Sequence, residues 1–198
     1  SGRGSSMITS RMTKGEAFAH AQVTRNISEV ICMSPKTSNN GFVFPLWVYD
    51  ETLQLDMESG ARRGASCSRR PNLSRKFLSA VGEALQLPPA GPYGLPQGLN
   101  PEDIFNYLYA LLHSPQYRQR YEEYLRVDFP RVPITGSVGL FRTLSHIGDR
   151  LVSLHLLESA QVNNPVAVYT GPTSPQVGRV RWCDNTVWLD APATRRGE

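Results

Sequence analysis

The stretch Asn100–Glu158 limits the possible folds most strongly, because it contains three helical patterns with clear start signals. In the first pattern, Asn100 is a good N-cap, and Pro101 suits the first helical position because it has no N–H to leave without a partner. Apolar residues then recur at helical spacing on one face. These residues are Ile104, Phe105, Leu108, Leu111 and Leu112. The pattern predicts a helix in the middle of the chain.

Two further helices are predicted in the same stretch. Ser114-Pro115 repeats the cap-plus-proline pattern and predicts a helix with tyrosines along one side. The prolines of Asp128–Pro133 restrict the residues before them, so this segment is predicted to be extended. A third helix is predicted to begin after Gly136 or Ser137 and to run to about Ser159, with a continuous apolar stripe. The stripe consists of Leu140, Phe141, Leu144, Ile147, Leu151, Leu154 and Leu157.

The chain before this block has features of β-structure. Gln22–Met33 mixes β-branched residues with partial alternation, and an Asn-Gly pair before Phe42–Tyr49 is typical of a hairpin turn. Pro45 in this aromatic run predicts an edge strand or a bulge. We expect the aromatic side chains to be core residues. The alternative is that Trp47 or Tyr49 packs on a sugar or a base.

The chain after Glu158 is also predicted to be β-structure. Pro165–Thr170, Val177–Trp182 and Asn185–Leu189 are predicted as three short strands. Val180, Trp182, Val187 and Leu189 would share one face of a hairpin. With a further short helix predicted over Asn72–Leu87, the fold class is α+β, with β-rich N-terminal and C-terminal parts flanking a helical middle of about four helices.

The predicted organisation has five parts. Residues 1–9 are interpreted as a tag remnant or a disordered lead-in, and residues 10–57 as a β-rich N-terminal part. Residues 58–72 are predicted to be a basic flexible loop, and residues 73–160 the helical block. Residues 161–198 are predicted to form a C-terminal β-hairpin region and a frayed tail.

The basic residues are concentrated in one segment. From Glu58 to Lys76 there are six basic residues against one acidic residue, a net charge of +5, although the whole chain carries only +4. Such a segment suits contact with phosphates. The alternative is a solvated linker without a partner. The basic residues are Arg62, Arg63, Arg69, Arg70, Arg75 and Lys76.

Sequence patterns of known catalytic and metal sites are absent. The chain has no phosphate-binding G-x-x-x-x-G-K-[ST] loop, no N-P-P-[YF] box of adenine methyltransferases, and no carboxylate cluster with a nearby lysine as nucleases require. Cys32, Cys67 and Cys183 are widely spaced, so we expect reduced thiols in a cytoplasmic protein and no structural metal. No apolar run is long enough to span a membrane. The sequence favours a binding function over catalysis.

Four segments of the chain form a family pattern. In chain order they are F-V-F-P-L-W-V-Y, R-R-P-N-L-S, N-P-E-D-I-F-N-Y-L-Y-A-L-L-H-S-P-Q-Y-R-Q-R-Y and D-F-P-R-V-P. Together with L-V-S-L-H-L-L-E they resemble the C-terminal target-recognition region of type ISP restriction-modification enzymes and of related single-chain methyltransferase-containing enzymes. The resemblance extends roughly from Ser10 to Leu189.

The resemblance implies a non-catalytic DNA target-recognition (specificity) fragment of a bacterial methyltransferase/endonuclease. Its expected partners are double-stranded DNA and the methyltransferase domain of the parent chain, with no membrane. The alternative is a structural coupling module that packs on the methyltransferase domain and binds little DNA. No cofactor is expected in this chain; S-adenosylmethionine, ATP and magnesium are expected only in other parts of the parent protein.

The resemblance also implies a set of candidate DNA-binding residues. Arg11 belongs to a Ser-Arg pair similar to the family pattern, and Lys14 lies near it. Arg69 and Arg70 belong to the R-R-P-N-L-S segment, where they either contact DNA or brace the domain. With the other basic residues, the predicted site consists of Arg11, Lys14, Arg62, Arg63, Arg69, Arg70, Arg75 and Lys76.

Overall fold

The structure is a computed structural model that describes residues 4–13, 16–34, 39–52 and 66–190. Its mixture of helices and small antiparallel sheets confirms the predicted α+β class. The strands are β1 (Ser6–Ser10), β2 (Ala21–Thr24), β3 (Gly41–Pro45), β4 (Trp47–Thr52), β5 (Ser66–Pro71), β6 (Pro89–Ala90), β7 (Leu95–Pro96), β8 (Arg181–Cys183) and β9 (Thr186–Trp188). The helices are α1 (Arg75–Leu85), α2 (Pro101–His113), α3 (Pro115–Arg120), α4 (Glu122–Val127) and α5 (Val138–His155), and a 3₁₀ turn covers Ala160–Asn163.

The chain divides into two compact units, Ser1–Val162 and Asn163–Glu198. The first contains β1–β7 and all five helices, and the second contains the hairpin β8–β9. The finer boundaries predicted from the sequence stay predictions. In the part of the chain that the structure describes, none of the helices has the length and apolarity needed to cross a membrane.

The N-terminal sheet has the strand order β2-β1-β3, and both pairings are antiparallel. Pro45 ends an edge strand, as predicted. The strand predicted over Gln22–Met33 is wrong beyond Thr24, because the chain leaves the sheet there and Ile27 is fully exposed. The predicted hairpin is also wrong, since β3 pairs with β1 and not with the segment that precedes its Asn-Gly turn.

The aromatic residues of β3 are not core residues. Phe42 and Phe44 remain 40% and 44% exposed. The Phe129 ring covers them only in part, with centroid distances of 5.0 and 5.8 Å and edge-on geometry. The prediction of buried aromatics is therefore wrong for these two residues, whose rings contact Phe129 and otherwise remain partly open to solvent.

Helices α2 and α5 form the centre of the first unit. Ile104 and Tyr109 of α2 are fully buried, and the buried face of α5 coincides only in part with the predicted leucine stripe. Phe141 of the stripe is buried, and Leu144 and Leu151 pack against the core. Leu140 and Ile147 are 50% and 43% exposed. Small residues explain the difference, because they let the two backbones approach closely. The buried residues of α5 are Phe141, Ser145, Gly148 and Val152.

The helical boundaries differ in two places from those predicted. The single helix predicted after Ser114 is divided at Tyr121 into α3 and α4. The third predicted helix ends at His155 rather than near Ser159, and Leu157 adopts a left-handed φ of 60°. Asp128 is extended, with φ −153° and ψ 175°, as its neighbouring prolines predicted.

The second unit contains one of the predicted hairpins. Trp182 lies directly opposite Val187, so the predicted shared face of these residues is confirmed. Pro165–Thr170 does not form a strand. The turn residues Asp184 and Asn185 have φ values of 51° and 57°, which Asp and Asn tolerate better than most residues and which suit a two-residue hairpin loop.

Candidate nucleic-acid interface

Strands β4 and β5 form an antiparallel two-stranded ribbon, and neither pairs with any other strand that the structure describes. The prediction of a flexible loop over residues 58–72 is wrong for Ser66–Pro71, because six residue pairs hold this segment in register with β4. Tyr49 lies opposite Arg69, and Val48 lies opposite Arg70. Since side chains alternate along a strand, the two arginines project from opposite faces of the ribbon.

Arg69 holds the base of the ribbon in place. Its guanidinium lies 4.4 Å from the centroid of the Trp47 ring, a cation–π geometry. The indole Nε1–H of Trp47 donates to Oε1 of Glu102 at 3.2 Å, and this contact links the ribbon to the first turn of α2. The hydroxyl of Tyr93 donates to the carbonyl oxygen of Arg69 at 3.0 Å. Arg69 therefore braces the domain, although the residue remains exposed.

Three further cations follow closely in the chain. Arg70 is exposed on the other face of the ribbon, and Arg75 and Lys76 are exposed in the first turn of α1. Ser74 caps this helix by accepting from the N–H of Phe77 at 3.2 Å. The first turn of α1 contains no acidic residue. Arg75 and Lys76 therefore lie at the positive end of the helix dipole, a position that is unfavourable for cations. This arrangement concentrates positive potential beside the ribbon and suits an anion such as phosphate.

Arg11 lies apart from this group. Its Nε donates to Oδ1 of Asp128 at 3.3 Å, so the side chain is paired across to the Asp128–Pro133 segment. The pKa of Asp128 is lowered mainly by the backbone N–H of Phe129 and further by Arg11. Arg11 follows the last residue of β1, whereas the ribbon begins beside Ser6 at the other end of that strand. The structure therefore does not bring Arg11 together with Arg69 and Arg70.

Three predicted site residues, Lys14, Arg62 and Arg63, lie outside the described residues. Arg62 and Arg63 belong to the connection between β4 and β5, and Lys14 follows Arg11 by three residues. Their roles stay predictions.

A histidine pair lies between α2 and α5, with His113 half-buried, His155 exposed and Tyr109 buried beside them. The Tyr109 hydroxyl and Nδ1 of His155 are 2.6 Å apart, and Nη2 of Arg118 lies 3.3 Å from Nδ1 of His113. Burial, the positive charge of Arg118 and the His155 ring together lower the pKa of His113 to about 4. His113 is therefore neutral at pH 7. No groups of three or more His, Cys, Asp or Glu side chains suited to a metal ion occur among the residues described.

An aromatic surface was not predicted from the sequence. Tyr117, Tyr121 and Tyr124 line a cavity of about 230 Å³ together with Leu125 and Arg131. Tyr124 is 59% exposed. The sequence placed these tyrosines on one side of a helix, but it did not indicate that Arg131, on the extended segment, would lie beside them. The site is visible only in the structure, where the extended Asp128–Pro133 segment brings Arg131 beside the tyrosines.

Comparisons with known proteins show similarity to one family and to a solved structure. The family model for the type ISP C-terminal specificity domain matches residues 2–195. A cryo-EM structure of a DrdV–DNA complex is similar in fold, with a TM-score of 0.54 and 22% identity. The similarity covers 78% of this chain and only 12% of that chain. No match was found among curated protein sequences.

Proposed function

Because the chain belongs to the family of type ISP C-terminal specificity domains, we propose that it is a non-catalytic DNA target-recognition domain that binds duplex DNA. In this proposal it is a part of a larger bacterial restriction-modification enzyme and packs on the methyltransferase domain. The chain needs no cofactor of its own. S-adenosylmethionine, ATP and magnesium act in other parts of the larger protein.

The observation that carries this proposal is the β4–β5 ribbon with its arginines. A two-stranded antiparallel ribbon is one of the elements that the major groove of B-DNA admits. Arg70 on the ribbon and Arg75 and Lys76 at the start of α1 supply exposed positive charge on consecutive elements. Phosphate contacts from such residues position a protein on the duplex, while side chains in the groove read the bases.

The basic residues of the candidate site have different roles in this proposal. Arg70, Arg75 and Lys76 contact phosphates, whereas Arg69 holds the ribbon against α2 through Trp47. The connection between the strands, which includes Arg62 and Arg63, supplies further contacts at the DNA. Arg11, beside the Asp128–Pro133 segment, belongs to a second contact region, and Lys14 supplies a further contact to the DNA. The fold similarity to a protein whose structure is described as a DNA complex supports duplex binding by the domain.

Fluorescence anisotropy with a labelled mixed-sequence duplex tests the proposal. The variant Arg70→Ala/Arg75→Ala/Lys76→Ala removes three exposed charges without removing the Arg69 contact. A matched control is Arg142→Ala/Arg150→Ala, because both residues are exposed on α5 and lie away from the ribbon in the chain. We expect the triple variant to bind the duplex at least tenfold more weakly, and the control to bind like the wild type.

Two results would contradict the proposal. Equal loss of affinity in both variants would indicate a non-specific charge effect and no role for the ribbon. Absence of duplex binding by the wild type at low salt would exclude a self-sufficient DNA-binding function. Circular dichroism of each variant shows whether the fold is retained.

A second candidate function, the coupling module, is favoured by the exposed stripe on α5. Leu140 and Ile147 are 50% and 43% exposed, and Leu157 beyond the helix is 75% exposed. Apolar side chains exposed along one face suit a protein contact. This role predicts that Leu140→Lys/Ile147→Lys reduces self-association in sedimentation velocity and leaves DNA affinity unchanged. If wild-type protein is monomeric at all concentrations and binds DNA, the coupling role is not needed.

A further inference from the structure

The cavity beside α4 has the chemistry of a nucleobase site. Its walls are the rings of Tyr117, Tyr121 and Tyr124, its floor includes the buried Leu125, and Arg131 lies at its edge. The cavity volume of about 230 Å³ suits one small planar group. Aromatic rings with an arginine beside them are the groups that proteins use to hold single unpaired bases and their phosphates.

The tyrosine rings leave faces open to a ligand. Tyr117 and Tyr121 have ring centroids 5.0 Å apart and an interplanar angle of 44°, and Tyr121 and Tyr124 are 6.5 Å apart at 55°. Neither pair is stacked, but the Arg120 guanidinium lies 5.9 Å from the centroid of the Tyr121 ring, so Tyr124 has the most accessible ring. Tyr117 is 5% exposed and Tyr124 is 59% exposed, so one end of the cavity lies in the protein core and the other end is open to solvent. A planar ligand that stacks on the Tyr124 ring would displace the water that covers it.

Arg131 is held in position by its backbone. The hydroxyl of Tyr117 donates to the carbonyl oxygen of Arg131 at 2.8 Å, which fixes the point from which the exposed guanidinium extends. A base between the tyrosines would place its phosphate at the edge of the cavity, where a guanidinium binds phosphate oxygens in bidentate fashion.

The charges around the cavity favour an anionic ligand. Arg126 pairs with Glu122 on α4, and Arg11 pairs with Asp128, so both of these carboxylates are already neutralised. Glu123 lies about 100° from Tyr124 and about 200° from Leu125 around α4, so it is directed away from the buried Leu125. Among the described side chains Arg131 forms no ion pair, although its charge helps to lower the pKa of Asp128.

We propose that the Tyr117–Tyr121–Tyr124 cavity binds one unpaired base of DNA, with the Arg131 guanidinium on the adjacent phosphate. The inference rests on the proposed DNA binding, but it concerns a site separate from the β4–β5 ribbon. The ribbon holds the paired duplex, and the cavity holds a base that has left the stack. A proline-rich peptide also suits tyrosine-lined grooves, but it offers no anion to Arg131.

The test uses two fluorescein-labelled duplexes of the same mixed sequence, one fully paired and one with a single unpaired adenine. The wild type is expected to bind the second duplex roughly 5- to 150-fold more tightly, the range that one base–aromatic stack contributes. Tyr124→Ala is expected to remove this preference and to leave the affinity for the paired duplex unchanged. The matched control Tyr124→Phe keeps the ring and is expected to keep the preference. Tyr124 is largely exposed, so both variants are expected to fold.

The outcomes separate this inference from the proposed function. If the wild type binds both duplexes equally, or if Tyr124→Ala keeps the preference, the cavity is not a base site, although duplex binding by the ribbon stands. If neither duplex binds, both the inference and the proposed function are wrong. If a proline-rich peptide quenches the tyrosine fluorescence in a Tyr124-dependent manner and the unpaired adenine gives no preference, the cavity is a peptide groove and the inference is overturned.

Discussion

The substitution Gly148→Ala is expected to destabilise the protein, although helix propensity alone predicts the opposite. Gly148 lies in the middle of α5, where replacing glycine with alanine normally stabilises a helix by about 1 kcal/mol. A Cβ at this position would lie 1.9 Å from the carbonyl oxygen and 2.5 Å from the carbonyl carbon of Asn106. Ordinary contact requires at least 3.4 Å, so α2 and α5 must separate.

The magnitude follows from the contacts that this separation disturbs. The helices would have to move apart by about 1.5 Å at this point, the difference between 3.4 and 1.9 Å. The hydroxyl of Ser145 donates to the carbonyl oxygen of Asp103 at 2.8 Å, and this bond would be strained. Overpacking costs about 1–3 kcal/mol or more, and a lost buried hydrogen bond about 1 kcal/mol. After subtracting the propensity gain of about 1 kcal/mol, the net loss is about 1–3 kcal/mol.

Urea unfolding followed by circular dichroism measures this loss, with Gly139→Ala as a matched control on the same helix. Gly139 is exposed, and its nearest neighbour to an added Cβ is Oγ of Ser137 at 3.8 Å, so the control is expected to be neutral or stabilising by up to about 1 kcal/mol. For a chain of this size the expected fall in Tm of Gly148→Ala is about 2–12 °C. A Gly148→Ala protein as stable as the wild type would refute the close packing of α2 on α5.

Three further variants test the local chemistry. The pKa of His113 is about 4 in the folded state and about 6.5 when unfolded, so the unfolded chain binds more protons between these values and stability is lost as pH falls from about 6.5 to 4. After allowance for solvent screening, the loss in the free energy of unfolding is on the order of 1–2 kcal/mol. Urea unfolding at pH 7 and at pH 4.5 measures this loss. It should be smaller for His113→Gln than for the wild type or for the exposed control His146→Gln. Ser74→Ala removes the cap of α1 and should cost about 1 kcal/mol in the same assay. Tyr107→Phe removes the 2.7 Å hydrogen bond to the carbonyl oxygen of Pro133 and should cost about 1–2 kcal/mol; no change would show that water replaces it.

The helices were predictable because their signals are local. Asn100 and Pro101 fix the start of α2. The backbone N–H of Asn100 donates to Oδ2 of Asp103 at 2.8 Å, which is the reciprocal contact of a capping box. Ser74 likewise caps α1, close to the predicted start. Local cap chemistry needs no knowledge of the rest of the fold, so it can be read from the sequence.

The orientation of α5 was not predictable in the same way. Its leucine stripe is the most apolar face, but Gly148 and Ser145 are buried because they permit backbone contact with α2. Hydrophobic periodicity measures side-chain polarity and is blind to the closeness of approach that small residues allow. The exposed Leu140 and Ile147 are the part of the prediction that the structure overturns.

The candidate site was predictable in composition and not in arrangement. The sequence identified Arg69 and Arg70 as basic residues in a loop, but their strand pairing with β4 depends on residues about twenty positions earlier in the chain. Pairing over such a distance leaves no periodic pattern around Arg69, since serine, cysteine and arginine are not typical strand residues. The cation–π contact with Trp47, which assigns a bracing role to Arg69, is likewise visible only in three dimensions.

The salt dependence of duplex binding tests the central claim most directly. The logarithm of the association constant falls with the logarithm of salt concentration with a slope of about −0.9 for each phosphate neutralised. If Arg70, Arg75 and Lys76 each contact a phosphate, the slope for the triple alanine variant should be shallower than that of the wild type by about 2.7. An unchanged slope would contradict the account, because the charges beside the ribbon would then not lie on the DNA.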